Sequence, residues 1–219
     1  MNKVLLLLLL CLAFTENSTA IGLDGFIIGT NFTSYPGLNN TVKPGVTLGL
    51  LGIHPLRNHF SFTFQVLYQY KNGSIDGLLV KEPAHGPVHS VSAYQIDYRM
   101  NLLEIPVSLK YNIYDDNHIR LYATAGAGYS FVFSDNALIQ RLYWDDDGRK
   151  NEFDASISDG VSKSTNNGPI YVAGIGAEFS LLVLECCYQR AGYHWEPTDA
   201  FILAKKNQTL YLTLVLKIL

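Results

Sequence analysis

The chain has few cysteines and little net charge, which argues against a disulfide and against nucleic-acid binding. Only Cys186 and Cys187 remain after residue 20. They are adjacent and would point to opposite faces of a strand, so a disulfide between them is geometrically unfavourable and we expect two packing residues. The formal net charge of -3 does not indicate the basic surface that nucleic-acid binding requires.

Long apolar runs and catalytic motifs are also missing. After residue 20 no run approaches the roughly 18 apolar residues of a membrane helix. The G-x-S-x-G motif, the P-loop and a Cys-His arrangement do not occur. We therefore expect no catalytic residue and no cofactor, in a single exported domain that crosses a membrane only if it forms a barrel.

The first twenty residues have the pattern of a secretory signal peptide. Lys3 supplies a positive charge, 4–14 is apolar, and small residues at 18–20 suit signal peptidase. The apolar stretch is too short to span a bilayer. We expect residues 1–20 to be removed and 21–219 to form the mature domain.

The mature chain shows an alternation of apolar and polar residues, which is clearest over residues 60–70. Because successive side chains of a strand point to opposite faces, this strand has one apolar wall and one mostly polar wall. The apolar wall is Phe60, Phe62, Phe64, Val66, Tyr68 and Tyr70, and the other wall is Ser61, Thr63, Gln65, Leu67 and Gln69. Eight strands are predicted in this way: 22–32, 45–53, 59–71, 101–113, 118–134, 169–180, 182–190 and 209–219.

The connections between these strands alternate in length, at about 12, 5, 29, 4, 34, 1 and 18 residues. Aromatic residues gather near both ends of the strands, as in the girdles of membrane barrels. The pattern predicts an all-β fold, an eight-stranded antiparallel transmembrane β-barrel with short periplasmic turns and long extracellular loops. Within one long connection, Asp147-Gly148 predicts a hairpin with arms 139–144 and 150–153.

If the chain forms a barrel, the polar faces of its strands point into the lumen. The charged residues expected in the lumen are balanced three against three, and we expect them to form a structural network: Glu104, Glu178 and Glu185 with Lys110, Arg120 and Lys217. Four glycines leave room there for Tyr122 and Arg120: Gly126, Gly128, Gly174 and Gly176. An eight-stranded barrel is just wide enough for side chains to fill, which favours a packed polar lumen over a channel. Pro106 lacks an N–H, so we expect a β-bulge there.

The strand Leu103-Glu104-Ile105-Pro106-Val107-Ser108-Leu109-Lys110-Tyr111 resembles the L-E-I-P strand of PorT-like outer-membrane β-barrel proteins, a family common in Bacteroidetes. The glycine-bearing stretches at 125–128 and 173–179, and the stretch 184–192, are similar to later strands of that family. The last strand resembles the signal read by the barrel-assembly machinery, with Ile218 outward in place of the usual aromatic residue. The resemblance implies an outer-membrane location and a role in secretion, adhesion or envelope integrity.

Other chemistry has weaker support in the sequence. His85 and His89 flank a Gly-Pro segment that does not hold ligands as a helix would, and an EF-hand at 145–148 would begin at Tyr143, which has no carboxylate, so no metal site is predicted. An outer-leaflet lipid-modifying enzyme would have to use His194, beside Trp195, or Ser130.

We therefore predict a non-enzymatic barrel with a packed polar lumen. Its expected partners are outer-membrane lipid, the barrel-assembly machinery and an unidentified extracellular ligand. The alternatives are a lipid-modifying barrel enzyme, a narrow porin, and a soluble secreted barrel that binds a small ligand inside.

Overall fold

The computed structural model describes residues 22–36, 39–56, 59–81, 91–116, 118–144, 150–155, 167–191 and 207–218. Ten strands lie in these ranges: β1 (Gly25–Ser34), β2 (Asn39–Val42), β3 (Pro44–Pro55), β4 (Phe60–Lys81), β5 (Val91–Asp115), β6 (Arg120–Trp144), β7 (Lys150–Ala155), β8 (Gly168–Phe179), β9 (Leu182–Ala191) and β10 (Asn207–Lys217). The same ranges hold no helix with the length and apolarity needed to cross a membrane.

Eight of the ten strands close into a barrel, which confirms the predicted fold. In chain order β1, β3, β4, β5, β6, β8, β9 and β10 each pair antiparallel with the next, and β10 pairs with β1. Short turns join the strands at one end, which we call the turn end. The last described backbone there is tied to the first, because the amide of Ile218 donates to the carbonyl of Asp24 at 2.8 Å.

The strands are staggered as closure requires. A path of directly paired residues runs round the barrel through Ser130, Glu104, Leu67, Gly49, Ile27, Val215, Val183, Glu178 and Arg120. It starts on β6 at position 130 and returns to β6 at position 120, a shear of ten residues over eight strands. A layer at constant height therefore shifts by slightly more than one residue from each strand to the next.

The two faces of the barrel follow the predicted alternation. Phe62 and Tyr68 are exposed on the outside, whereas Thr63 and Gln69 are buried inside. Exposed aromatic residues mark two levels, and near the turn end the rings of Phe60 and Tyr111 are 4.9 Å apart. The upper level holds Tyr68, Tyr129, Phe133, Tyr171 and Tyr188. An apolar band between two aromatic girdles is the outer surface of a membrane barrel.

Local hydrogen bonds and backbone conformation form the short turns. In the β5–β6 turn, Asp116 Oδ1 accepts from the backbone amides of Ile119 at 2.8 Å and His118 at 2.7 Å, and Tyr114 donates its hydroxyl to Oδ2 at 2.8 Å. These bonds favour the carboxylate, so the pKa of Asp116 lies below its usual value. The two-residue turn between β8 and β9 places Ser180 in the left-handed region, with φ at 46°.

The expectation of loops over most of 72–100 was wrong, because β4 and β5 continue as strands to Lys81 and from Val91. β6 likewise extends to Trp144 and pairs with β7, which confirms the predicted hairpin arms, while the Asp147-Gly148 turn lies outside the described residues. β2, which was not predicted, pairs with β4. In β4 and β6 the sequence beyond the apolar band loses the alternation of apolar and polar residues, so the pattern does not mark these extensions.

The predicted bulge at Pro106 was also wrong. No bridge pairs Gln65 and Val66 with the opposite residues of β5, but the register is the same on both sides of this interval. Pro106 itself stays in register opposite Gly128. A missing N–H removes one ladder bond and does not require an additional residue. In the β5–β6 pairing the register shifts lie between 101 and 102 and between 112 and 114.

The outer face provides a test of the membrane position. Ala125 is exposed on β6 between the two aromatic levels, so Ala125→Lys should cost about 2–4 kcal/mol of unfolding free energy. The matched control is Ser34→Lys, at the upper end of β1, where about 0–1 kcal/mol is expected. Urea titrations in lipid vesicles measure both, and equal costs would contradict this placement of the bilayer.

Candidate functional site

At the turn end of the lumen, the buried carboxylate of Glu178 meets three cations. Lys110 Nζ lies 2.5 Å from Oε2, Arg120 Nη1 lies 3.3 Å from Oε1, and Lys217 also pairs with Oε1. The four side chains come from β8, β5, β6 and β10, so one carboxylate ties together strands from different parts of the barrel wall. A buried charge requires such partners, and the cluster meets that requirement.

Two of the cations in this cluster have further contacts besides Glu178. Arg120 Nε also contacts Asp115 at 2.9 Å on the exposed rim, and Lys110 Nζ lies 4.0 Å from the centre of the Tyr122 ring. Glu185 lies further into the lumen and accepts a hydrogen bond from Gln65 at 3.5 Å. Within the described part of the chain, no ion pair joins Glu185 to a cation.

A second cluster is centred on Glu104, higher in the lumen. Its Oε1 atom accepts from Gln189 Nε2 at 2.9 Å, Lys71 Nζ at 3.0 Å and Ser130 Oγ at 3.4 Å. Glu104 and Lys71 are both fully buried. The six charged residues predicted in the lumen therefore do not form one network, because Glu104 stands apart from the Glu178 cluster and pairs with a seventh residue.

Sequence reasoning missed Lys71 although the signal was present. Lys71 follows Gln69 by two positions, so the alternation of β4 turns both side chains inward. The predicted strand ended at residue 71, and its last member was not assigned a face.

A cluster of apolar side chains, which we call the apolar layer, lies in the lumen and reaches from Tyr122, beside Lys110, to Leu67, paired with Glu104. Its members are buried inside the barrel and pack on one another: Ile27, Leu51, Leu67, Tyr122, Val183 and Val215. The predicted lumen was polar, whereas the lumen in the structure also holds apolar side chains beside buried polar ones such as Glu185 and Thr124. Side chains fill this part of the interior, as expected for a barrel of eight strands.

Glycines inside the wall make room for large neighbours. A Cβ atom at Gly176 would overlap the ring of Tyr122, which confirms the predicted role of that glycine. At Gly174 the overlap is instead with the thiol of Cys187, and at Gly126 it is with Ser108 and the backbone of Val107. A Cβ at Gly128 would overlap the backbone at 105 and 106, and none of the three meets Tyr122 or Arg120.

The remaining candidates are placed as follows. Ser130 is buried in the lumen, where it donates to Glu104. An outer-leaflet enzyme would need this side chain to face lipid, and it does not. Cys187 is buried and Cys186 is partly exposed, and both are free thiols. Among the described residues no group of three His, Cys, Asp or Glu side chains could hold a metal ion. The following candidates lie outside the described residues: His85, His89, His194, Trp195 and 145–148.

A family model described as the outer membrane protein beta-barrel domain matches residues 19–186. The chain belongs to this outer-membrane β-barrel family. The closed barrel with its exposed apolar band agrees with that membership, so the turn end is the periplasmic end and the extended strands lie on the extracellular side.

Two solved structures are similar in fold, and both are of Ail, the attachment invasion locus protein of Yersinia pestis. The first has 11% sequence identity and a TM-score of 0.36, and the match covers 90% of this chain and 99% of that chain. The second is Ail in complex with the heparin analogue sucrose octasulfate, at 12% identity and a TM-score of 0.34, with the same coverage. No protein with a curated description matches the chain. Likeness this distant does not extend to function.

The Glu104 cluster yields a stability test. Glu104→Lys would place a second cation against buried Lys71, and breaking a buried pair costs about 3–5 kcal/mol. We expect a lower temperature for the heat-induced mobility shift on gels and a lower urea midpoint. The control is Asp97→Asn in the exposed Lys43–Asp97 pair, worth about 0–1 kcal/mol. Unchanged unfolding of Glu104→Lys would rule out a structural role for the pair.

The fit of Gly176 against Tyr122 yields a second test. Gly176→Ala should destabilise the barrel by about 1–3 kcal/mol, because the new methyl group overlaps the ring. Tyr122→Leu shortens the side chain, so the added cost of Gly176→Ala in that background should fall. Urea titrations of the four proteins of the double-mutant cycle measure the coupling. Additive costs would show that the two residues do not constrain each other.

Proposed function

We propose that this protein is a non-enzymatic outer-membrane barrel that binds a partner outside the cell. The barrel would serve as the anchor, and the binding surface would be the sheet that β2, β4, β5, β6 and β7 form above the membrane. We call this the extended sheet, and it comprises 39–42, 72–81, 91–100, 134–144 and 150–155.

The length of the strands supports this proposal above all else. β5 and β6 are each 25 residues long, whereas a strand needs about 9–11 residues to cross a bilayer. The part of β5 and β6 above the barrel is about ten residues in each strand, and at about 3.3 Å rise per residue it carries the sheet roughly 25 Å beyond the lipid when the tilt is included. Anchoring in the membrane requires none of this length.

The base of the extended sheet is joined to the barrel by backbone pairing and by two exposed side-chain contacts. Lys43 Nζ, between β2 and β3, lies 3.3 Å from Asp97 Oδ1 on β5. Tyr68 donates its hydroxyl to Asn101 Oδ1 at 2.6 Å across the β4–β5 pair. A surface that is already ordered loses less entropy on binding, which favours recognition by this sheet.

The lumen supports an anchoring role more than a transport role. The apolar layer and the two charge clusters occupy the interior below the extended sheet. We infer that the protein is not a narrow porin. Planar-bilayer recordings would test this inference, and stable single-channel steps would contradict it.

The enzyme alternative lacks a supporting site among the described residues. Ser130, one of its two candidate residues, lies inside the barrel. Incubation of the purified protein with lipopolysaccharide would test the alternative, since acyl-chain release or transfer would identify an enzyme.

Two finer assignments belong to the same proposal. We infer that the chain is of the PorT-like type within its family, which rests on the L-E-I-P strand at 103–106. We also infer that residues 1–20 are a cleaved signal peptide and that the barrel-assembly machinery inserts the mature chain. Mass spectrometry of the outer-membrane form should give a mature N-terminus at residue 21.

Removing the central hairpin of the extended sheet tests the binding role. Gly73 and Tyr98 are directly paired on β4 and β5, so an Asn-Gly turn can join them in place of 74–97. Cells displaying the shortened barrel should adhere to surfaces coated with extracellular-matrix or serum proteins at least about tenfold less than cells with the full chain.

The shortened barrel must be matched to the full chain for amount and folding. Surface labelling gives the amount, and heat-modifiable gel mobility shows that the barrel is closed. If equal amounts of folded shortened barrel support the same adhesion, the β4–β5 part of the extended sheet is not the binding surface.

A further inference from the structure

An arginine stands among the aromatic residues of the upper level on the outer face of the barrel. Arg190 is exposed near the extracellular end of β9, and its two neighbours in the chain, Gln189 and Ala191, are buried inside. The alternation of the strand therefore turns Arg190 outward, two positions above the exposed ring of Tyr188. The outward side chains of a membrane barrel are mostly apolar, so an arginine in this position requires an explanation.

Pairing with the strands on both sides fixes the depth of Arg190. It is paired with Tyr171 on β8 and with Gln208 on β10. The stagger of slightly more than one residue per strand places Arg190 about one residue above Tyr171 and one residue below Gln208. Tyr171 is 60% exposed and belongs to the upper aromatic level. Arg190 therefore lies at the depth where tyrosine rings mark the boundary between hydrocarbon and lipid headgroups.

The described residues supply no anion to Arg190. No ion pair or hydrogen bond among them includes its side chain. Its direct neighbours Tyr171 and Gln208 carry no charge, and neither do Pro169 and Leu210, the next outward residues on β8 and β10. A charge beside the hydrocarbon is favourable only when an anion or water reaches it, so the partner of Arg190 has to come from outside the protein.

Two other outward cations of the upper rim differ from Arg190 in pairing or in depth. Lys43 is neutralised by Asp97 at 3.3 Å. Arg99 is exposed and has no ion pair among the described residues, but it is paired with Asn72, four positions beyond Tyr68 on β4. At about 3.3 Å rise per residue and with the tilt included, Arg99 lies roughly 10 Å above the aromatic level. Of the unpaired arginines on the described outer face, only Arg190 lies at headgroup depth.

The chemistry of the site selects a phosphate group. Phosphates are the anions that lipids present at this depth, and the planar guanidinium group of arginine binds a phosphate through two parallel hydrogen bonds. The side chain of Arg190 is long enough to keep its aliphatic stem on the apolar wall while its charge reaches the headgroups. The hydroxyl of Tyr171 and the amide of Gln208 stand on either side as further hydrogen-bond donors.

We propose that Arg190, with Tyr171 and Gln208, forms a binding site for the phosphate group of a lipid in the outer leaflet. We call this the Arg190 site. It holds one phosphorylated lipid against β8, β9 and β10, with the acyl chains along the apolar band below. This inference does not depend on the proposed binding role of the extended sheet, because the site lies at the membrane boundary and on other strands.

Native mass spectrometry of the mature chain in uncharged detergent micelles tests the site. The probes are lipid A, which carries phosphate groups, and the same lipid after its phosphates have been removed. We expect one molecule of lipid A to bind at least about tenfold more tightly than the dephosphorylated lipid, because a hydrogen-bonded charge pair is lost with the phosphate. Equal affinities for the two lipids would overturn the proposal.

Substitutions at two arginines assign the preference to one position. Arg190→Gln should bind lipid A no more tightly than the dephosphorylated lipid, and Arg190→Lys should fall between, because an ammonium group keeps the charge but loses the planar fork. The matched control is Arg99→Gln, which removes the same charge above the aromatic level and should keep the full preference. Heat-modifiable gel mobility shows that each barrel is closed. An undiminished preference in Arg190→Gln, or an equal loss in Arg99→Gln, would overturn the proposal.

A third probe distinguishes a lipid from a soluble phosphate. Glucosamine 1-phosphate carries a sugar phosphate without acyl chains, and it should not bind at concentrations that saturate the barrel with lipid A. Binding as tight as that of lipid A would show that the site takes free phosphate esters, and would overturn its assignment to a membrane lipid.

Discussion

Inside a bilayer every backbone N–H and C=O group must find its partner within the protein, because lipid offers none. Strands meet this constraint only when the sheet closes on itself, and in this chain the pairing of β1 with β10 supplies the closure. Closure fixes the stagger of ten residues over eight strands, and the stagger decides which side chains share a layer. The outer girdles, the charge clusters and the layers of the lumen all depend on that one pairing.

The lumen shows how a closed barrel meets the cost of burying polar residues. Glu178 faces cations from three other strands, and Glu104 accepts hydrogen bonds from residues of three other strands. Between these clusters the wall turns Leu51, Leu67 and their neighbours inward. The interior therefore combines paired charges with apolar packing, an arrangement suited to holding a barrel closed.

The extracellular part of the molecule is built from the same strands as the barrel. Within the band that faces lipid, β4, β5 and β6 obey strict alternation. Above it they continue in the extended sheet with β2 and β7. The membrane imposes the alternation only over the length of strand that it covers.

The alternation over 60–70 and the parity of the connections were enough, by themselves, to predict the eight barrel strands, their faces and the charged residues turned inward. A period of two is imposed by local strand geometry and can be counted along the chain. Three features were decided only by the tertiary structure: the pairing of Glu104 with Lys71, the apolar layer, and the extension of β4–β6. Which side chains meet across a lumen depends on the stagger of eight strands, and that quantity exists only once β10 has closed on β1.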